Sequence, residues 1–187
     1  MKIAITGDQQ FAEQAKLSHL TEEGITSRLA DQVKCFLWII DTAVANGCEG
    51  LVSLGDIFDP RRSIPVPVLD RTCRAFAYAA EQFEWVSVLA GNHDIYGREA
   101  SINSLQALLG NAQVWDEPGI DGPFAYVPWL DDPDEYRKAV GEVTRGDAKY
   151  LFSHVMIEGA VPADVGKAKK DLRPHKWKRI FLGDIHE

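Results

Sequence analysis

The sequence predicts an α/β fold, because short apolar runs typical of buried strands alternate with longer stretches in which apolar residues recur at helical spacing. The first helix is predicted from about Ile25 to Val44, and Asn46-Gly47 follows it as a stop signal. Three more helices are predicted, at Val66–Phe83, Ser101–Leu109 and Pro133–Val143. The predicted strands are 2–6, 50–54, 85–89, 113–115, 124–127, 149–153 and 179–182, with turns at Pro118-Gly119 and Gly122-Pro123.

The composition is that of one globular domain spanning residues 1–187. No apolar stretch approaches the roughly 20 residues of a membrane helix, and the N-terminus becomes polar too early for a signal peptide. We therefore expect a soluble, cytoplasmic protein that does not bind a membrane. Cys35, Cys48 and Cys73 have no Cys-x-x-Cys spacing, and we expect them to be reduced thiols in the core.

The charge is unevenly distributed along the chain. In total, 20 Lys and Arg stand against 28 Asp and Glu, a formal net charge of −8. The basic segment 167–179 holds seven basic residues and one acid, a net charge of +6, which leaves −14 for the rest of the chain. A local basic segment on an acidic protein permits phosphate contacts at one place, although a solvated surface segment explains it equally well.

Several predicted strands end in carboxylates, amides or histidines. Ligand sites of open α/β sheets form beyond the carboxyl ends of the strands, where residues distant in sequence converge. Such donors suit divalent ions such as Mn²⁺, and two ions that share a carboxylate serve phosphoryl transfer. Any one of these residues alone is better explained as a turn former or a helix cap, but five strand ends together are not. The residues are Asp8, Gln10, Asp56, Asp59, Asn92, His93, His154, Asp184 and His186.

Five motifs resemble those of the calcineurin-like metallophosphoesterase family, in the same order and over essentially the whole chain. They are Gly7-Asp8-x-Gln10, Gly55-Asp56-Ile57-Phe58-Asp59, Gly91-Asn92-His93-Asp94, Ser153-His154 and Gly183-Asp184-Ile185-His186. The resemblance implies a sandwich of two sheets flanked by helices. Within the family the chain looks most similar to the nuclease subunit of SbcC–SbcD-type DNA repair complexes, because of Arg28-Leu29-Ala30-Asp31 and Pro65.

The resemblance also implies roles for the motif residues. His93, oriented by Asp59, would be the general acid or transition-state stabiliser at the leaving oxygen, while a water activated by two metal ions attacks phosphorus. Arg61 and Arg62 are candidates for holding a neighbouring phosphate. The metal ligands would be Asp8, Gln10, Asp56, Asn92, His154, Asp184 and His186, with Asp56 shared between the two ions.

Two positions depart from the family pattern, which has histidine where this chain has Gln10 and Asp184. An amide is a poorer donor than imidazole and a carboxylate adds an anion. We therefore expect two divalent ions, Mn²⁺ or alternatively Mg²⁺ rather than Zn²⁺, and a less acidic bound water. Because the sequence stops at Glu187, the C-terminal strands of the family's second sheet are expected to be missing, either by truncation or in a minimal form.

Three functions stay open. The first is a DNA exo- or endonuclease of the SbcD type, with DNA and an SbcC-type ATPase subunit as partners and a homodimer as its assembly. The second is a phosphoesterase for a cyclic nucleotide, a nucleotide or a phosphoprotein, which the net charge of −8 favours. The third is a binding scaffold of the same fold that has lost catalysis. Trp129 and Trp177 are the tryptophans to test for base stacking.

Overall fold

Two four-stranded sheets form the centre of the fold. The computed structural model describes residues 1–14, 16, 18–60, 62–97, 102–157 and 177–184. The first sheet is parallel throughout, in the order β1 (Ile3–Thr6), β2 (Gly50–Ser53), β3 (Trp85–Leu89) and β4 (Gln113–Trp115). The second has the order β5 (Gly119–Asp121), β6 (Phe124–Val127), β7 (Tyr150–His154) and β8 (Arg179–Gly183), in which β5 is antiparallel to β6 and the other pairs are parallel.

Three α-helices pack on these sheets, and their first residues explain where they begin. The Thr26 side chain accepts a hydrogen bond from the N–H of Leu29 at the start of α1 (Ser27–Ala45). Proline occupies the first turn of α2 (Val66–Gln82), and Asp132 caps α3 (Pro133–Thr144). No helix in the described part of the chain is long and apolar enough to cross a membrane.

The apolar side chains form three layers of core. Side chains from both sheets, among them Val52, Leu89 and Phe152, pack between the sheets. A second cluster lies between the first sheet and helices α1 and α2, and a third lies between the second sheet and α3. The order of layers is therefore helix, sheet, sheet, helix, which confirms the predicted α/β class and the two-sheet sandwich flanked by helices.

Some local predictions were wrong. The chain forms β5 where only turns were predicted, because three residues are too few for an alternating pattern to be visible. The helix predicted at Ser101–Leu109 is a 3₁₀ helix over Ser104–Leu108. The cysteines are free as expected, but they are not core residues: Cys35 is exposed, and Cys48 and Cys73 are half-buried.

Candidate metal centre

Residues from both sheets meet beyond the carboxyl ends of their strands. One ligand atom each from Asp8, Asp56 and His154 lies within 4.8 Å of the other two. Asp8 follows β1, Asp56 follows β2, and His154 is the last residue of β7. Asp56 and His154 are almost completely buried, whereas Asp8 is half-buried. The sandwich therefore assembles a cluster of two carboxylates and an imidazole from distant parts of the chain.

The imidazole of His154 is oriented by a backbone carbonyl. His154 Nδ1 donates to the oxygen of Leu54 at 2.7 Å, and since a carbonyl only accepts, the Nδ1 atom carries a proton. The Nε2 atom points to Asn92 Oδ1 at 3.1 Å, Asp56 Oδ1 at 3.5 Å and Asp184 Oδ1 at 3.8 Å. In its neutral form His154 thus directs the lone pair of Nε2 among three oxygens, an arrangement that a cation stabilises.

The backbone at this edge is in an unusual conformation. Among the described residues, four that are not glycine have a positive φ, a left-handed conformation that is unfavourable for L residues. Such conformations persist where the surrounding structure imposes them, and they are concentrated at functional sites. All four are predicted metal ligands: Asp8 (54°), Gln10 (45°), Asp56 (53°) and Asp184 (86°).

The buried carboxylate of Asp94 joins the loops that follow β2 and β3. Its oxygens accept hydrogen bonds from the backbone N–H groups of Gly91 (3.0 Å), Ile57 (3.0 Å) and Phe58 (3.3 Å). Burial and the nearby charge of Asp56 raise the pKa of Asp94 to about 7, although these three hydrogen bonds act in the opposite direction. Asp94 thereby keeps the loop of Asp56 against the loop of Asn92.

His93 is joined to the cluster by its backbone and to Asp59 by its ring. Its N–H donates to Asp56 Oδ1 at 2.8 Å. Its Nδ1 donates to the backbone oxygen of Asp59 at 2.7 Å and lies 3.9 Å from the Asp59 carboxylate. Since Nδ1 is engaged by Asp59, Nε2 is the ring nitrogen that this arrangement leaves for proton transfer.

The other predicted site residues have different placements. Gln10 borders the cluster, because its N–H donates to the backbone oxygen of Asp56 at 2.9 Å. Arg62 is exposed, while Arg61, His186 and positions 167–176 of the basic segment lie outside the described residues. Trp177 is 8% exposed in the core beside α3, so its predicted stacking role is wrong, and Trp129 packs against the core beside α1 and α2.

Two residues that hold the site were not among the predicted site residues. Asp94 belongs to the Gly91-Asn92-His93-Asp94 motif, which was a usable signal for it. Gln32 lies in α1, and its amide contacts the loop after β1. Nothing in the sequence distinguishes it from other polar residues of an amphipathic helix.

The set of donors fits a divalent cation. It contains the carboxylates of Asp8, Asp56 and Asp184, the amide oxygen of Asn92 and the imidazole of His154. Oxygen-rich sites with imidazole suit hard or intermediate ions. The site is therefore a candidate metal centre in a two-sheet α/β protein.

Comparisons with known proteins give one distant likeness. No protein-family model matches the chain, and a search of curated proteins finds no match. Among solved structures, the crystal structure of Pseudomonas putida nuclease MPE is similar, at 21% sequence identity and a TM-score of 0.44. The match covers 83% of this chain and 63% of that one, so the chain spans less than two thirds of the length of that nuclease. We therefore derive a function from the geometry of the site.

Proposed function

We propose that this chain is a metal-dependent phosphodiesterase that cleaves DNA, similar to the nuclease subunit of SbcC–SbcD-type complexes. The observation that carries the proposal is the convergence of Asp8, Asp56 and His154 within 4.8 Å at the carboxyl ends of three strands. The five motifs that resemble the metallophosphoesterase family support the same reaction class. Neither composition nor fold alone would favour phosphoester hydrolysis over other chemistry.

The donors favour two divalent ions, with Mn²⁺ first and Mg²⁺ as the alternative. Three carboxylates and one amide oxygen outnumber the imidazole of His154 among the described donors, which disfavours an ion that prefers nitrogen and sulfur. When bound, such ions supply Lewis acidity and lower the pKa of a water molecule. The N–H of His93 holds the Asp56 carboxylate in a fixed orientation for a shared position.

His93 is the proposed general acid. The leaving alkoxide of a phosphodiester needs a proton, which the imidazolium of His93 can donate from Nε2 while Nδ1 stays bonded to the backbone oxygen of Asp59. The Asp59 carboxylate, 3.9 Å from Nδ1, stabilises that imidazolium and acts as a positioning residue. The exposed side chain of Arg62 follows in the same loop and is the proposed contact for a neighbouring phosphate.

The total charge favours a second candidate, a phosphoesterase for a small substrate. A chain with a net charge of −8 repels a polyanion over most of its surface, whereas a single phosphate group is repelled much less. DNA is the preferred substrate because the segment 167–179 carries a net charge of +6 in the sequence. The same resemblance proposes an SbcC-type ATPase subunit as partner and a homodimer as assembly, which co-purification and light scattering would test.

Hydrolysis assays test this function. The substrates are bis-p-nitrophenyl phosphate and a labelled linear DNA duplex, with Mn²⁺, for the wild type, Asp56→Ala and His93→Ala. We expect Asp56→Ala to abolish both activities and His93→Ala to reduce them about 10³-fold. Asp121→Ala, which removes an exposed carboxylate on β5, is the matched control and should retain activity.

The pattern of results separates the three functions. Cleavage of DNA that weakens steeply with salt supports the nuclease. Turnover of the small diester alone, at any salt concentration, supports the small-substrate enzyme instead. Mn²⁺ binding without turnover of either substrate would contradict a phosphodiesterase and leave a binding scaffold.

A further inference from the structure

We infer that Gln32 is a positioning residue of the candidate metal centre. Its amide holds the loop 8–12 in the conformation that presents Asp8 to Asp56 and His154. The inference rests on the proposed function only in assuming that this cluster binds a metal. Gln32 itself touches none of the three clustered side chains through any contact described here; it acts through the loop backbone.

Three backbone groups of this one loop are bonded to the Gln32 side chain. Nε2 donates to the backbone oxygen of Gln10 at 2.9 Å and lies 3.4 Å from that of Gln9. Oε1 accepts from the N–H of Ala12 at 3.2 Å. The half-buried amide therefore reaches both ends of the segment that follows Asp8.

The loop needs such support because two of its residues are left-handed. Asp8 has φ 54° and Gln10 has φ 45°, conformations that an unsupported L residue leaves readily. The N–H groups of Asp8, Gln10 and Phe11 donate to the backbone of residues 55–57, at 2.8 to 2.9 Å. These bonds use the donors of the loop, whereas Gln32 binds its carbonyls. The two sets together hold the loop from opposite sides.

The helix that carries Gln32 gives it a rigid base. Leu29, Phe36 and Ile40 bury one face of α1 in the core. The ring of Phe36 also packs edge-on against Phe11, with 5.8 Å between the ring centres. The loop and the helix thus share one packed unit, in which the Gln32 amide provides the polar connection.

The contacts require an amide at this position. The loop offers carbonyls that need a donor and an N–H that needs an acceptor, and only an amide supplies both from one planar group. Gln32→Glu keeps the length and the acceptor but loses the donor, and it places a charge beside two carbonyls. Gln32→Ala removes both contacts.

Two measurements on the purified chain test the inference. Amide hydrogen exchange of the metal-free protein reports the loop, and calorimetric titration with MnCl₂ reports the site. For Gln32→Glu and Gln32→Ala we expect the Asp8, Gln10 and Phe11 amides to exchange at least about tenfold faster, with unchanged exchange in β2 and β3, and Mn²⁺ affinity to fall about tenfold. Saturating Mn²⁺ should restore the hydrolysis rate. Gln106→Ala, which removes a single exposed contact to Asp116, should change none of these quantities.

The outcomes distinguish the inference from the proposed function. Wild-type exchange and Mn²⁺ affinity in Gln32→Glu, with only a lower melting temperature, would overturn the positioning role and leave the phosphodiesterase intact. If the wild type binds Mn²⁺ but hydrolyses neither substrate, the proposed function is wrong while the exchange and affinity data still decide on Gln32. Should Gln32→Ala not fold, Gln32→Glu alone decides.

Discussion

Left-handed residues occur in two settings in this chain, and they differ in kind. In the outlying turns the left-handed residues are glycines, at which an added Cβ would meet nothing within 4 Å: Gly24, Gly47, Gly97 and Gly122. At the candidate metal centre the corresponding residues are Asp8, Gln10, Asp56 and Asp184. Glycine would fit the backbone better there, so the chain keeps these side chains at a conformational cost. Stability and site chemistry therefore oppose each other at the centre and do not in the turns.

The largest effect that would break this arrangement is expected from Gly91→Ala. A Cβ there would lie 2.2 Å from Asp56 Oδ1 and 2.4 Å from the Asp56 nitrogen, so the two loops must separate. We expect Mn²⁺ binding to be lost and the free energy of unfolding to fall by about 3 kcal/mol, measured by calorimetry and urea denaturation.

Gly141→Ala is the matched control for this change. Position 141 is exposed in α3, and an added Cβ meets nothing within 4 Å. The same methyl group should raise the free energy of unfolding by about 0.8 kcal/mol through helix propensity. Normal Mn²⁺ binding by Gly91→Ala would contradict the close packing of the loops after β2 and β3.

Gln10→His tests whether the left-handed position carries a ligand. Histidine tolerates a positive φ better than most residues, and imidazole is a stronger donor than an amide oxygen. We expect metal affinity to rise about tenfold, or about 1.4 kcal/mol, with a shift of preference from Mn²⁺ towards Zn²⁺. Competitive titration of the two metals measures the change, with Gln106→His as an exposed control. An unaltered preference would mean that position 10 is not a ligand.

Gly47→Ala tests the other side of the comparison. Gly47 follows α1 with φ 72° and has open space around it, so only backbone strain should matter. We expect a loss of about 1 kcal/mol in the free energy of unfolding and no change in Mn²⁺ affinity. Gly110→Ala, also in open space but without a positive φ, should be neutral or slightly stabilising. Equal losses at both positions would show that the left-handed conformation is not the cause.

Gln10→Gly should have the smallest effect and the opposite sign. It relieves the left-handed strain at φ 45° but adds chain entropy to the unfolded state. We expect the free energy of unfolding of the metal-free chain to rise by about 0.5 kcal/mol while Mn²⁺ affinity falls. Thermal unfolding and calorimetry together measure both. A fall in stability would mean that contacts of the Gln10 side chain outweigh the strain of its backbone.

The elements around the site were predictable because their signals are local. The spans of β3 and β4 agree with the apolar runs of the sequence, and α1 and α2 end within one residue of the predicted positions. By contrast, β5 is defined by its pairing with β6 and not by its own composition. The exposure of Cys35 depends on how far α1 is covered by its neighbours, which helical periodicity does not reveal.

The sequence by itself determined the α/β class and the residues that offer metal donors, because strand periodicity and the residue types after each strand are local properties. Only the tertiary structure decided how these donors are held. The proton on His154 Nδ1 follows from the carbonyl of Leu54, 100 positions away, and the loop of Asp8 depends on the amide of Gln32 in the first helix. Both contacts join segments that meet only when the two sheets and their helices have packed, so no local pattern in the chain encodes them.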